Sequence, residues 1–211
     1  MPIAIKKVYE DSEIIVIVKP FGINSEGGNS CNAADLLNDG GKPFIVHRLD
    51  REVGGLMVLA KSAESAAKLS KQIQDGNFKK EYLAVVEGEL KEAEELIDLL
   101  FHDRLKNKTY VVKSARKGVK KAVLSYRLLS LAELDGKPVS KVRVKLQTGR
   151  THQIRVQFAS RKHPVLGDRK YGSKFNTSFA LFSAYLSFKH PKTGAHLDFS
   201  ELPPDTEPWN L

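Results

Sequence analysis

The sequence predicts an α+β protein, a large and mainly antiparallel sheet with flanking helices. Three observations lead to that class. Apolar stretches of strand length, such as Ile14–Val18, recur along the chain and outnumber helical patterns. Ser140–Gln147 alternates cleanly, with Val142, Val144 and Leu146 on one side and Lys141, Arg143 and Lys145 on the other. Turn signals join strand-like neighbours, Asp135-Gly136 after one long run and Pro191–Gly194 inside a terminal hairpin.

Taken in order, Glu13–Lys19 is apolar almost throughout, as a strand buried on both faces is, and Pro20-Phe21-Gly22 ends it. Gly22–Ser30 reads as loop and Asn32–Leu37 as a short helix. Phe44–Val46 and Gly55–Ala60 read as short strands around His47–Gly54. Ser62 caps a helix that reaches Asp75, with Ala66, Leu69 and Ile73 on one face and Gly76 as its stop. Strands follow at Glu81–Val86, Val119–Leu131 and Ser140–Gln147. Thr151–Ser160 is predicted to be helical, with His152, Arg155 and Ala159 on one face and Ile154 and Phe158 on another. Ala180–Phe188 and Ala195–Phe199 form the terminal hairpin.

The 211 residues suffice for one large domain or two small ones, and at 41% hydrophobic content the chain can build a real core. No apolar run approaches the ~20 residues of a membrane span, and the N-terminus lacks the apolar stretch of a secretory signal. A single cysteine, Cys31, excludes an internal disulfide framework. Small polar neighbours give it no activating base, so it reads as an unreactive thiol. These features fit a cytoplasmic protein. The net charge of +9 favours a polyanionic partner, because bound cations release phosphate counterions.

Part of that charge is local. Arg104–Lys121 holds eight cations (Arg104, Lys106, Lys108, Lys113, Arg116, Lys117, Lys120, Lys121), no acid, and Tyr110 among them. A solvated surface loop or hairpin explains the composition. So does an arm that grips a phosphate backbone, in which Lys117, Lys120 and Lys121 are the expected contacts.

The chemistry-bearing segments are His47-Arg48-Leu49-Asp50-Arg51-Glu52-Val53-Gly54-Gly55 and, far along the chain, Gly149-Arg150-Thr151-His152-Gln153-Ile154-Arg155-Val156. Gly167-Asp168-Arg169-Lys170-Tyr171-Gly172 follows the second. An aspartate between a short strand and a glycine-hinged turn is placed to project from a sheet edge into a cleft. Taken alone, such a residue makes local backbone bonds. Arginines flank this one, and an arginine beside it would hold the carboxylate ionised, as a nucleophile or base requires.

The two blocks, in this order and at this separation, resemble the RluA-type pseudouridine synthases. The likeness runs from Val16-Ile17-Val18-Lys19-Pro20-Phe21-Gly22 to the last hairpin. The resemblance implies the pseudouridine synthase fold and the isomerisation of uridines in structured RNA, either ribosomal or transfer RNA. It implies Asp50 as the essential carboxylate. It implies Tyr82 as the residue that stacks on the target uracil and assists proton removal, and Arg155 as the partner of the carboxylate. It further implies Arg48 as the residue filling the gap left by the flipped base, and Leu181 as a pocket wall. Arg150 and His152, in the second block, join the expected substrate contacts. The chain departs from the family where Val53-Gly54 replaces the usual Thr-Ser and Ser183 the usual histidine.

The reaction implied needs no metal, no redox cofactor and no nucleotide. Two routes fit one carboxylate: attack on C1′ or C6, or proton removal at C2′. The expected organisation is one catalytic domain over 1–211, acting as a monomer, with a basic insertion around 102–121. Strand-like sequence begins almost at once, so no separate N-terminal RNA-binding domain is expected. Two rival readings stand beside this one. A metal-dependent hydrolase would need histidine spacing that His47, His102, His152, His163, His190 and His196 do not supply. A non-catalytic RNA-binding protein would not need Asp50, Tyr82 and Arg155 together.

Overall fold

The computed structural model describes residues 5–27, 32–37 and 41–211; Cys31 lies outside them. In chain order the elements are β1 (Lys6–Glu10), β2 (Ile14–Lys19), α1 (Ala33–Leu36), β3 (Phe44–Ile45), β4 (Gly54–Ala60), α2 (Ala63–Gln74), β5 (Lys79–Glu87), β6 (Ala93–Asp103), β7 (Lys108–Val112), β8 (Val119–Leu134), β9 (Lys137–Leu146), α3 (Gln153–Ser160), β10 (Leu181–Lys189) and β11 (His196–Ser200), with a 3-10 turn at Arg169–Tyr171. The chain divides into two compact units, residues 1–80 with 182–203 and residues 81–181 with 204–211. The class is α+β, as the alternation predicts.

In the first unit the strand order is β1-β2-β4-β10, with β3 beside β4 and β11 beside β10. β2 and β4 are antiparallel, from Ile14 opposite Ala60 to Lys19 opposite Gly55. Both strands are buried on both faces, which is why they read as continuous apolar runs. β10 runs parallel to β4, Ser183 beside Gly55. The approach is so close that a Cβ on Gly55, at φ +111°, would lie 2.3 Å from the Ser183 carbonyl oxygen. Only glycine fits there. Ser62 caps α2, accepting from the Ser65 amide, and Leu69 enters the core with Ile14, Val16, Leu56, Val58 and Phe188.

In the second unit the order is β5-β9-β8-β6-β7, antiparallel throughout. Val142 and Val144 face inward as their alternation requires, opposite Ala84 and Tyr82 of β5, while Leu146 is half-buried.

Three strands escape the sequence pattern: β1, β6 and β7. In β6 the inward positions are Leu96, Asp98 and Leu100, and the central one is an acid. Asp98 is held there by Arg161 at 2.8 Å and by the Gln157 amide at 2.8 Å. A charged residue at an inward position hides the period of two. β7 lies inside the basic segment, which is therefore a hairpin, one of the two surface forms expected. It is the end of a three-stranded ribbon, β6 pairing β7 on one edge and β8 on the other.

The expected two-faced helix at 151–160 is also corrected. α3 begins at Gln153 and buries Gln153 to Phe158 without interruption, so Arg155 does not lie on an open face. His152 precedes the helix in a left-handed conformation, φ 53°. The turn before it folds around Gln153, whose carbonyl oxygen accepts from the Arg150 amide at 3.0 Å and the Thr148 hydroxyl at 2.8 Å. Its side-chain Nε2 donates to the Val123 carbonyl at 3.1 Å.

Candidate active site

The first unit carries Asp50 and Arg48; the second carries Tyr82, Arg155, Leu181, Arg150, His152, Lys117, Lys120 and Lys121.

Asp50 sits half-buried between β3 and β4, on a segment held at almost every neighbouring residue. His47 is buried, and its Nε2 accepts the Val58 amide at 3.2 Å. Burial, aided by Lys80, pushes its pKa down to about 3, so the imidazole is neutral and carries its proton on Nδ1. Both backbone groups of Leu49 bind one hydroxyl: Ser25 Oγ accepts from the amide at 3.0 Å and donates to the carbonyl at 2.8 Å. Gly22 closes the far side, its amide donating to the Arg51 carbonyl at 2.9 Å and its carbonyl accepting from Arg51 Nε at 2.9 Å. The Val53 amide caps the Asp50 carbonyl at 3.0 Å.

Beneath this turn lies Lys19, fully buried. Its ammonium donates to the carbonyls of Pro20 and Ile23, each at 2.8 Å, and to that of Arg51 at 3.4 Å. Burial lowers its pKa to about 8, while Asp50 and Glu52 pull it upward. The carboxylate that the sequence singles out is thus set on a backbone with little freedom, above a buried cation. Arg48, by contrast, is exposed, 3.4 Å from Glu26.

The departures at Val53-Gly54 have a local reason. A Cβ on Gly54 would come within 2.7 Å of the Phe21 ring, which occupies that space and lies 5.9 Å from the Phe182 ring. Ser183 places its hydroxyl in the interior without a hydrogen-bond partner.

In the second unit Arg155 is 3% exposed. Its Nε and Nη2 donate to the two carboxylate oxygens of Asp168, at 2.7 and 2.9 Å. Its guanidinium carbon lies 5.1 Å from the ring centres of both Tyr171 and Phe179. A planar cation held by a bidentate acid and two aromatic rings has one orientation. Tyr82 and Leu181 are both buried, Tyr82 on β5 opposite Val144 and Leu181 at the start of β10. His152 Nδ1 lies 2.9 Å from the Tyr171 hydroxyl. Arg150 Nε donates to the Lys121 carbonyl at 3.0 Å, which ties the second block to the ribbon. Lys117, Lys120 and Lys121 are exposed, and Arg116 beside them stacks on Phe101 at 5.2 Å.

Two site residues escape the sequence reading, Asp168 and Tyr171. Both lie in the Gly167–Gly172 turn, where a Cβ on Gly167 would meet the Thr177 and Ser178 carbonyl oxygens at 2.7 Å. An acid and a tyrosine between two left-handed glycines, just after an arginine-bearing helix, are the signal that was available.

The histidines are engaged locally. His102 meets the Thr109 hydroxyl at 3.1 Å, His163 the Glu87 carbonyl at 2.7 Å and His190 the Asp11 carboxylate at 2.9 Å. Among the described residues no group of three or more His, Cys, Asp or Glu is arranged to hold a metal ion. No helix among them is long and apolar enough to cross a membrane.

Residues 13–160 match the family model described as RNA pseudouridylate synthase. A protein of Aquifex aeolicus named as an uncharacterised RNA pseudouridine synthase is 36% identical, the match covering 97% of this chain and 71% of that protein. The ribosomal large subunit pseudouridine synthase D of Zymomonas mobilis is 32% identical over 97% of this chain and 71% of its own. The solved structure of human RNA pseudouridylate synthase domain containing 1 shares the fold, with a TM-score of 0.81 at 22% identity, over 96% of this chain and 84% of that one.

Proposed function

Because the chain belongs to the RNA pseudouridylate synthase family, and is an RluA-type isomerase of uridine in RNA, we propose that it modifies ribosomal RNA with Asp50 as the catalytic carboxylate. The observation that supports the second part is the clamped His47–Val53 turn, in which Asp50 is half-buried while the other carboxylate, Glu52, is exposed. The first part is supported by relatives named ribosomal large subunit pseudouridine synthase D and C, each 32% identical.

The reaction breaks the N1–C1′ bond, turns the uracil, and forms C5–C1′; the C5 proton leaves to solvent and N1 takes one up, so the product is an isomer of the substrate. Nothing is oxidised or reduced, so no cofactor is required. Asp50 enters ionised, as nucleophile toward C1′ or C6 or as base toward C2′; both routes need a carboxylate fixed near the ribose. The target base must leave its stack, at a few kcal/mol. Stacking on the Tyr82 ring, at ~1–3 kcal/mol per base, offsets part of this, and its hydroxyl assists removal of the C5 proton. Arg48, already solvent-facing, enters the vacated space. Arg155 holds the Asp50 charge, with Leu181 lining the base pocket. Arg150, His152 and the ribbon lysines Lys117, Lys120 and Lys121 grip the RNA backbone. In this reading both units serve one catalytic domain, a monomer working in the cytoplasm.

Site-resolved pseudouridine mapping in a strain lacking the protein tests the substrate. Pseudouridines should disappear from large-subunit ribosomal RNA and persist in transfer RNA. The opposite pattern would reassign the substrate to transfer RNA.

A further inference from the structure

The Gly167–Gly172 turn does more than supply Asp168. It touches both α3, which carries Arg155, and the β6–β7 hairpin, which carries part of the basic ribbon. Tyr171 is where the two meet. Its ring lies 5.1 Å from the Arg155 guanidinium and 5.4 Å from the Lys108 ammonium of the hairpin. Its hydroxyl oxygen accepts the Thr109 amide of β7 at 2.8 Å and lies 2.9 Å from His152 Nδ1, at the foot of α3. Burial raises the phenol pKa, so the hydroxyl keeps its proton. The hydroxyl and His152 Nδ1 share a hydrogen bond at 2.9 Å.

Neighbouring contacts reinforce the junction. Thr109, itself buried, donates its hydroxyl to the Thr151 carbonyl at 2.9 Å. Lys170 Nζ reaches the Asn107 carbonyl in the hairpin turn at 3.1 Å. A β7 amide on a strand edge would ordinarily bind water; here it binds the side chain that also packs on Arg155.

We infer that Tyr171 is a positioning residue with two separable tasks: its ring holds Arg155 in the orientation the reaction uses, and its hydroxyl latches the basic hairpin to the arginine-bearing helix. The inference deepens the function proposed above and rests on it. RNA gripped by the ribbon is thereby placed in register with Arg155. The hydroxyl serves binding, while the aromatic sandwich serves the chemical step. Phe179 is the control for the second task, because it forms the other wall at 5.1 Å and its ring has no hydroxyl to latch with.

The test uses the full chain and a large-subunit ribosomal RNA transcript labelled with tritium at uridine C5. Tyr171→Phe keeps the ring and removes the hydroxyl. KM and the dissociation constant from filter binding should both rise about tenfold, as for loss of a buried hydrogen bond, with kcat kept within about twofold. Phe179→Leu should split the other way, with kcat down about tenfold and KM nearly unchanged. A purely structural role would lower kcat and raise KM together in both variants. The inference is overturned if Tyr171→Phe binds RNA as the wild type does, or if it loses kcat alone. Absence of tritium release from the wild type would instead sink the proposed function, and the binding measurement on Tyr171→Phe still decides the latch.

Discussion

Asp50→Asn should lower pseudouridine formation by at least about a thousandfold, with RNA affinity held within about threefold. Asparagine keeps the shape of the side chain and cannot act as an anionic nucleophile or base. The turn that carries it is held by other groups: His47 on the Val58 amide, Ser25 on both backbone groups of Leu49, and Lys19 on three carbonyls. The substitution therefore removes the charge and leaves its setting in place. Single-turnover rates and filter binding on one transcript separate the two quantities. A variant turning over within tenfold of wild type would remove Asp50 from the mechanism.

The second large effect is on stability. Asp168→Ala should destabilise the protein by about 3–5 kcal/mol, the usual consequence of leaving one member of a buried ion pair alone. Arg155 cannot shed its charge, and with side chains 4% and 1% exposed neither partner has water to fall back on. Asp168→Asn keeps one acceptor oxygen for the guanidinium and should lose distinctly less. Denaturant midpoints of the three proteins check the order; equal midpoints for Asp168→Ala and wild type would mean that the pair contributes nothing to the fold.

Much of the scaffold was legible from residue pattern because burial there is symmetrical or strictly alternating. β2 and β4 are apolar on both faces, α2 has its Ser62 cap and Gly76 stop, and β9 alternates valine with cation. Pattern failed where a polar residue was buried with a partner far away in sequence. Asp98 interrupts β6 because Arg161 and Gln157 compensate it from α3. The burial of Arg155 could not be read from its helix face because Asp168, Tyr171 and Phe179, which make that burial tolerable, lie more than ten positions later. The same rule explains the site. Asp50 was visible through its motif, whereas the residues that fix the turn around it, Ser25 and Lys19, carry no local signal. A lysine in an apolar strand reads as an edge residue until its three carbonyl partners are seen.

With Asp50 as the catalytic group, the isomerisation should run without metal or cofactor. The direct measurement is tritium release from C5-labelled uridine in RNA by the purified protein, in EDTA and without nucleotide. Release matched by an equal yield of pseudouridine is the expected result. Uridine left intact, or release that begins only when a divalent metal is restored, would contradict it.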